Sequence, residues 1–338
     1  MRPLYLPRDG SICGRAWMFL GINGGPCDQH CQICYYAHQR EKIFYDIPTL
    51  MGHANLFRYY YGLEACDITG GEPTILPGIK KLVAYCRKIG LKPSIITHGQ
   101  NLSETAPGIE AAGLEDWRIS VHGATAEAHD RVMNNPGSYA RILRGLEKCT
   151  RPIGVNTTLT KECVDAYPIP LLRQISNHAA WNVISFLPFY EWISKSPDFQ
   201  VKYADASPKL AEAIKEVEGM GWEVNVRYWP YCVALRHGFA RNVSGFHQVG
   251  YDPWEWRLSV TNRLSMEDIE KMSWPVAEAS QALAVLQKRF NHVCSGCAAR
   301  AICDMLPEQY ARRYGLGELT PIDGEPITDP LYFQREAS

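Results

Sequence analysis

The chain has 338 residues, 46% of them hydrophobic and 21% charged, enough apolar material for a sizeable core and about two domains, or one large barrel with an extension. A formal charge of −1 and a pI near 6.8 offer no basic field for bulk nucleic acid or anionic membrane, so nucleic acid is a disfavoured partner. No run of eighteen apolar residues is present and Met1 to Arg8 lack a signal-peptide core, so a cytoplasmic location without membrane insertion is expected.

In chain order, residues 1–14 read as an N-terminal extension. A strand is predicted over Trp17 to Ile22, leading through Gly24-Gly25-Pro26 into a group of cysteines. The next strand, Cys66 to Thr69, ends in Gly70-Gly71. A helix follows with Ile79, Leu82, Val83, Cys86 and Ile89 on one face and Gly90 placed to cap it. Further strands are predicted at Pro93 to Thr97, Trp117 to His122, Gly154 to Leu159, Val183 to Pro188 and Trp222 to Tyr228. Helical stretches fall between them, around Ile109 to Ala112, Ile142 to Leu146, Leu171 to Ile175 and Pro208 to Glu218.

Repeated β-then-α order argues for an α/β fold with a parallel sheet and crossover helices. Six or seven such units form an incomplete barrel or strongly curved sheet, such as a partial (β/α)6 TIM-like barrel, rather than a flat sheet. In such folds the chemistry lies beyond the C-terminal ends of the strands. The cysteine group, Gly70-Gly71-Glu72, His98 and His122 all follow predicted strands directly and would share one rim. From about residue 230 the alternation stops. Residues 232–262 are aromatic and irregular (Phe246, Tyr251, Trp254, Trp256), and a helix is predicted over Val276 to Phe290. The expected organisation is a barrel over 15–229, a smaller domain over 230–306 and a tail over 307–338.

Twelve cysteines are many for a reducing compartment, where they point to metal or catalysis rather than disulfides. Cys27-x3-Cys31-x2-Cys34 offers three thiolates on an eight-residue loop. Four would close every iron of a cubane, so three leave one iron open for a chelating ligand. The alternative is most of a zinc site, completed by His30 or a distant cysteine.

This cysteine spacing after a first strand resembles the signature of the radical SAM superfamily. The resemblance implies a 4Fe–4S cluster whose open iron is chelated by S-adenosylmethionine, and reductive cleavage of that cofactor to a 5′-deoxyadenosyl radical. It further implies an electron donor of the flavodoxin or ferredoxin type. The position before the third cysteine is often aromatic in the family and is Ile33 here, which with Tyr36 is expected to pack against adenine. Gly70-Gly71-Glu72-Pro73 is similar to the family motif that holds the methionine amino group. Ser120 and Arg131 resemble the stretch that contacts the ribose and carboxylate, and Asn156 falls where the fifth strand often carries a polar cofactor contact. The resemblance spans about residues 15 to 230.

Cys294-x2-Cys297-x5-Cys303 is a second compact group, and the nearest upstream cysteine is Cys232. Four thiolates would close a cluster suited to electron transfer. The arrangement resembles the twitch and SPASM extensions of radical SAM enzymes and implies one auxiliary 4Fe–4S cluster. Position 307 is Pro, so the further cysteine step of a two-cluster extension is missing. A structural zinc knuckle is the alternative.

Hydrogen abstraction needs no protein nucleophile, but a base is useful as the substrate radical is oxidised. Glu191, Tyr190 and His98, at predicted strand ends, are the catalytic candidates. The leading expectation is a radical SAM oxidoreductase or isomerase acting on a small polar molecule such as a sugar, cyclitol, amino acid or nucleoside derivative. A peptide-modifying enzyme and a non-catalytic metal-stabilised interaction protein are the alternatives. The oligomeric state is not readable from the sequence.

Overall fold

The computed structural model describes residues 15–22, 24–34, 36–38, 42–60, 63–186, 199–244, 291–328 and 332–335. Tyr190, Glu191, the aromatics from Phe246 to Trp256 and the helix expected over Val276 to Phe290 lie outside these residues.

Parallel strands carry the fold. Within an eight-stranded sheet the order is β1 (Arg15–Phe19), β4 (Ala65–Thr69), β5 (Lys92–Thr97), β6 (Asp116–Ser120), β7 (Ile153–Leu159), β8 (His178–Ser185), β9 (Glu223–Arg227) and β10 (Val243–Ser244). The sheet runs from β1 at one end to β10 at the other without closing, as a partial barrel does. A separate antiparallel pair, β2 (Gly21–Ile22) and β3 (Ile43–Phe44), brackets the cysteine loop. The chain divides into two compact units. The first comprises Met1–Thr157 with Pro168–Trp181, and the second Thr158–Tyr167 with Asn182–Ser338.

In the first unit the crossover helices are α1 (Ile47–Asn55), α2 (Ile79–Lys88), α3 (Leu102–Ala111), α4 (Ala126–Met133) and α5 (Ser138–Leu146). Helix α2 buries Ile79, Leu82, Val83 and Cys86, the face expected from its periodicity. It ends as expected: Gly90 adopts φ +79° and the Leu91 amide reaches back to the Cys86 carbonyl at 2.9 Å, a Schellman closure. The indole N–H groups of two buried tryptophans are paired. Trp117, fully buried, donates its indole N–H to Glu110 at 2.8 Å, and the same carboxylate accepts the Thr150 amide. Trp181 donates to Thr157 Oγ1 at 3.0 Å.

In the second unit the long helix α8 (Tyr203–Gly219) follows two short turns, α6 (Lys161–Val164) and α7 (Ile169–Leu172, on the first-unit side). Helix α9 (Tyr231–Arg236), α10 (Glu308–Tyr314) and α11 (Tyr332–Arg335) complete the described α-helices. Tyr203 is buried against Trp229 and Tyr310, with ring centroids 4.5 and 4.8 Å away.

Several boundaries differ from expectation for physical reasons. The strand expected over Trp17 to Ile22 is two strands, because Leu20 leaves the β1 register and its carbonyl accepts the Tyr45 amide. His122 lies beyond β6, which ends at Ser120. Strand β8 begins at His178, ahead of the expected Val183, since pairing extends into a stretch without β-branched residues.

Candidate cluster-binding site

In the first unit, four strand ends place the expected residues on one rim: the cysteine loop beyond β1 and β2, Gly70 to Glu72 beyond β4, His98 beyond β5, and Ser120 at the end of β6 beside Asn156 of β7. Cys27 is exposed, while Cys31 and Cys34 are half-buried. A turn closes between the latter two, with the Cys34 amide donating to the Cys31 carbonyl at 3.1 Å, and Ile33 sits half-buried inside it. Burial pushes the Cys31 thiol well up, and the neighbouring thiols of Cys34 and Cys27 add to the effect. Cys34 is likewise raised, chiefly by burial. Three thiols within each other's field form an all-sulfur donor set that an iron–sulfur cluster suits.

The Gly70-Gly71-Glu72 turn is fastened to this loop by backbone. The Gly25 amide donates to the Gly70 carbonyl, and the Glu72 amide donates to the Pro26 carbonyl at 2.7 Å. Gly71 has φ +149°, and a Cβ there would stand 2.7 Å from the Pro26 carbonyl oxygen. The close approach that needs a glycine is thus between the turn and the cysteine loop itself.

Glu72 is completely buried and its carboxylate is fully engaged. Oε1 accepts from the Thr74 amide (3.0 Å), Thr74 Oγ1 (2.6 Å) and Thr97 Oγ1 (2.7 Å), and Oε2 accepts the His98 amide at 2.9 Å. The side chain therefore locks β4 to β5. His98 Nε2 lies 2.8 Å from Asp28 Oδ1 and 3.2 Å from Glu72 Oε2. Burial works against a charged imidazole, but Glu72, Asp28 and Cys27 outweigh it and hold His98 up at about 10. Asp28 is correspondingly held down at about 2, first by its hydrogen bond from His98. The Gln100 backbone amide donates to His98 Nδ1 at 3.2 Å, so in this geometry the ring is the Nε2–H tautomer facing Asp28. The proton that the carboxylates favour would enter at Nδ1 and displace the Gln100 contact. Cys27, Asp28 and His98 bring one donor atom each to within 4.8 Å of one another.

The other expected cofactor contacts are more dispersed. Tyr36 packs edge-on to Phe19 at 6.3 Å, on the loop just past Cys34. Ser120 and Asn156 are half-buried register partners of neighbouring strands. Arg131 stands on the exposed side of α4, whose inward residues are His129, Val132 and Met133.

Unread in the sequence was the support around the loop. The Gln32 amide donates to the Val132 carbonyl at 3.0 Å, Asn135 Nδ2 donates to Gln29 Oε1 at 2.6 Å, and Cys31 Sγ meets Met133 Sδ at 3.7 Å. Asn134, in the left-handed region at φ 51°, ends α4 and turns the chain toward the loop. An asparagine pair after a helical stretch is the one local signal for this turn.

In the second unit the fold gathers Cys232 of α9 with Cys294, Cys297 and Cys303. Cys294 is pushed up to about 11 by burial and by the thiols of Cys297 and Cys232. Cys303 rises to about 12, mainly through burial, with Asp304 and Cys232 adding to it. Cys232 is raised by burial and by Cys297. Backbone amides already point at the sulfurs: Ile322 N donates to Cys297 Sγ at 3.3 Å and Met305 N to Cys303 Sγ at 3.4 Å. Met305 takes φ 55° in doing so. The Thr320 backbone bonds the Cys232 thiol, so the stretch read as a tail supplies donors to this group.

An open parallel barrel with three loop cysteines beyond its first strand defines the class of a cluster-bearing α/β enzyme. The radical SAM superfamily model matches residues 24–160. An AdoMet-dependent heme synthase of Methanosarcina barkeri is 35% identical over 277 residues, covering 69% of this chain and 77% of that protein. The chain belongs to the radical SAM superfamily, whose members use a 4Fe–4S cluster and S-adenosylmethionine. A probable GTP 3′,8-cyclase of Thermococcus kodakarensis is 28% identical, covering 39% of this chain and 45% of that protein. PqqA peptide cyclase of Methylocella silvestris is 24% identical, covering 46% and 44%. The chain thus spans under half the length of these two relatives. Among solved structures, native anSMEcpe with bound AdoMet shares the fold with a TM-score of 0.57 at 15% identity, over 89% of this chain and 95% of that one. Among the described residues no helix is long and apolar enough to cross a membrane.

Proposed function

We propose that the chain is a radical SAM oxidoreductase with two 4Fe–4S clusters, one held by Cys27, Cys31 and Cys34 and an auxiliary one held by Cys232, Cys294, Cys297 and Cys303 in a twitch-like domain. When bound, the first cluster and S-adenosylmethionine supply reductive cleavage of the sulfonium and abstraction of a substrate hydrogen atom. The observation that carries the two-cluster reading is the convergence of Cys232 with three cysteines some sixty residues or more away in sequence, each thiol within the field of another and three of them met by backbone donors. N–H···S bonds and a closed thiolate set suit a cluster that accepts an electron.

The chain's own residues would divide the work. Glu72 and Thr97 fix the rim on which the cofactor sits, and Ser120 and Asn156 offer polar groups to it. His98, tied to Asp28 and Glu72, serves the cysteine loop better than it would serve a substrate proton, which leaves Tyr190 and Glu191 as the residues to test for proton transfer. The substrate is a small molecule, with a flavodoxin- or ferredoxin-type donor supplying the electron. The long match to a heme synthase makes a haem precursor the first substrate to try. The match to PqqA peptide cyclase supports a second reading, in which the substrate is a peptide.

Anaerobic reconstitution followed by iron and acid-labile sulfide assays tests this: two clusters require about eight of each per chain. Zinc without sulfide would overturn it in favour of a metal-stabilised interaction protein. Incubation with deuterated haem precursors, small polar metabolites or peptides then assigns the substrate, since only the true one passes deuterium into 5′-deoxyadenosine.

A further inference from the structure

Two adjacent residues of the cysteine loop, Asp28 and Gln29, are the ends of one hydrogen-bonded circuit. Asp28 Oδ1 accepts from His98 Nε2 at 2.8 Å, and the Gln100 amide meets His98 Nδ1 at 3.2 Å. Gln100 Oε1 accepts from Arg141 Nε at 2.6 Å, and Arg141 Nη2 donates to Asn135 Oδ1 at 2.7 Å. Asn135 Nδ2 then donates to Gln29 Oε1 at 2.6 Å and closes the ring. Gln100 is itself anchored, its Nε2 donating to Ser138 Oγ at 2.6 Å, and Ser138 Oγ lies 3.0 Å from His129 Nε2. The circuit thus ties three strand-end and helix-start segments, 98–100, 135 and 138–141, to the stretch between Cys27 and Cys31.

We propose that Asn135 and Arg141 are positioning residues of the SAM-binding cluster, acting through Gln29 to hold the loop that carries Cys27 and Cys31. The proposal rests on the reading that Cys27, Cys31 and Cys34 hold that cluster. Three features separate this from general packing. The planar guanidinium spends Nε–H on Gln100 and Nη2–H on Asn135 and the Pro136 carbonyl, a fork that lysine cannot reproduce. Asn135 uses both ends of its amide, so it relays position rather than capping one group. The same segment makes two further contacts with the loop, Val132 to the Gln32 amide and Met133 to Cys31. Partners outside a metal's own ligands orient those ligands and tune the site.

The test is a double-mutant cycle on the reconstituted full chain, Gln29→Ala and Asn135→Ala singly and together, with Arg141→Met and Arg141→Lys alongside. Iron and sulfide are assayed first. The SAM concentration that half-completes the cofactor-induced change in the EPR spectrum of the reduced cluster is then measured. Each single variant is expected to keep wild-type iron and sulfide and to need roughly tenfold more SAM. The double variant should be no worse than the worse single one, since both break the same link. Arg141→Lys, keeping the charge but not the planar fork, should fall between wild type and Arg141→Met. Wild-type SAM response in Gln29→Ala and Arg141→Lys, or additive effects in the cycle, would overturn the proposal, and these two variants decide it even if Asn135→Ala does not fold. A wild-type protein with no SAM-induced spectral change would instead overturn the cluster assignment.

Discussion

His122 and His129 stack with centroids 5.9 Å apart, and both rings are buried. Burial holds His122 down at about 3 and His129 at about 4, so each is neutral in the folded chain. Unfolded, each would titrate near 6.5, and the unfolded state therefore takes up protons first as pH falls. The contribution of these two rings should be complete above pH 6.5 and be lost on descending toward pH 4, by up to about 1.4 kcal/mol per pH unit for each ring. Thermal melts at pH 7, 6 and 5 check this. His122→Gln should show a shallower decline than wild type, and equal slopes would count against it. A second residue-scale expectation concerns Gly71. Alanine there would meet the Pro26 carbonyl and the Gly25 backbone, so Gly71→Ala should cost roughly 1–3 kcal/mol and displace the turn from the cysteine loop. Urea titration gives the energy and SAM titration the displacement.

At the scale of elements, what could be read in advance was what carries dense local pattern. Strands β4, β5 and β7 carry β-branched residues such as Ile68, Ile95, Ile96 and Val155 and are followed by glycine or polar residues, and α2 shows its buried stripe and its closing glycine in the sequence. Helix α4 carries no strong periodic signal, because a histidine fills part of its buried face, with Val132 and Met133 as its apolar inward residues. Helix α1 is signalled only by its start, where Asp46 caps it by accepting the Thr49 amide at 2.9 Å and Pro48 opens it. The cysteine groups stand out in the sequence by their spacing, and Gly70 to Glu72 by resemblance to the family motif. The circuit from Asp28 to Gln29 was not, since each of its links joins residues whose pairing depends on three-dimensional packing. One consequence at this scale is a control far from the cysteines. Gly90→Ala places a side chain in the left-handed region at φ +79° with no close atom to clash, so strain alone should cost about 1–2 kcal/mol. A urea melt should register that loss while SAM binding stays unchanged, and a change in SAM binding would contradict the separation.

Over the whole molecule, each compact unit brings its own thiol group together, one from an eight-residue loop and one from segments as distant as residues 232 and 303. The two groups should therefore fail separately. Cys297→Ala is expected to lose about half the iron yet retain SAM cleavage, with substrate turnover abolished. Iron assay and product analysis on the same sample check this, and loss of SAM cleavage with the auxiliary cysteine would argue against independent sites. The central claim, that Cys27, Cys31 and Cys34 hold the cluster that cleaves S-adenosylmethionine, is tested most directly by one measurement. Wild-type and Cys31→Ala proteins are reconstituted anaerobically, given dithionite and S-adenosylmethionine, and followed by mass spectrometry for 5′-deoxyadenosine. Product from wild type and none from Cys31→Ala is the expected result; 5′-deoxyadenosine from Cys31→Ala at the wild-type rate would contradict the account.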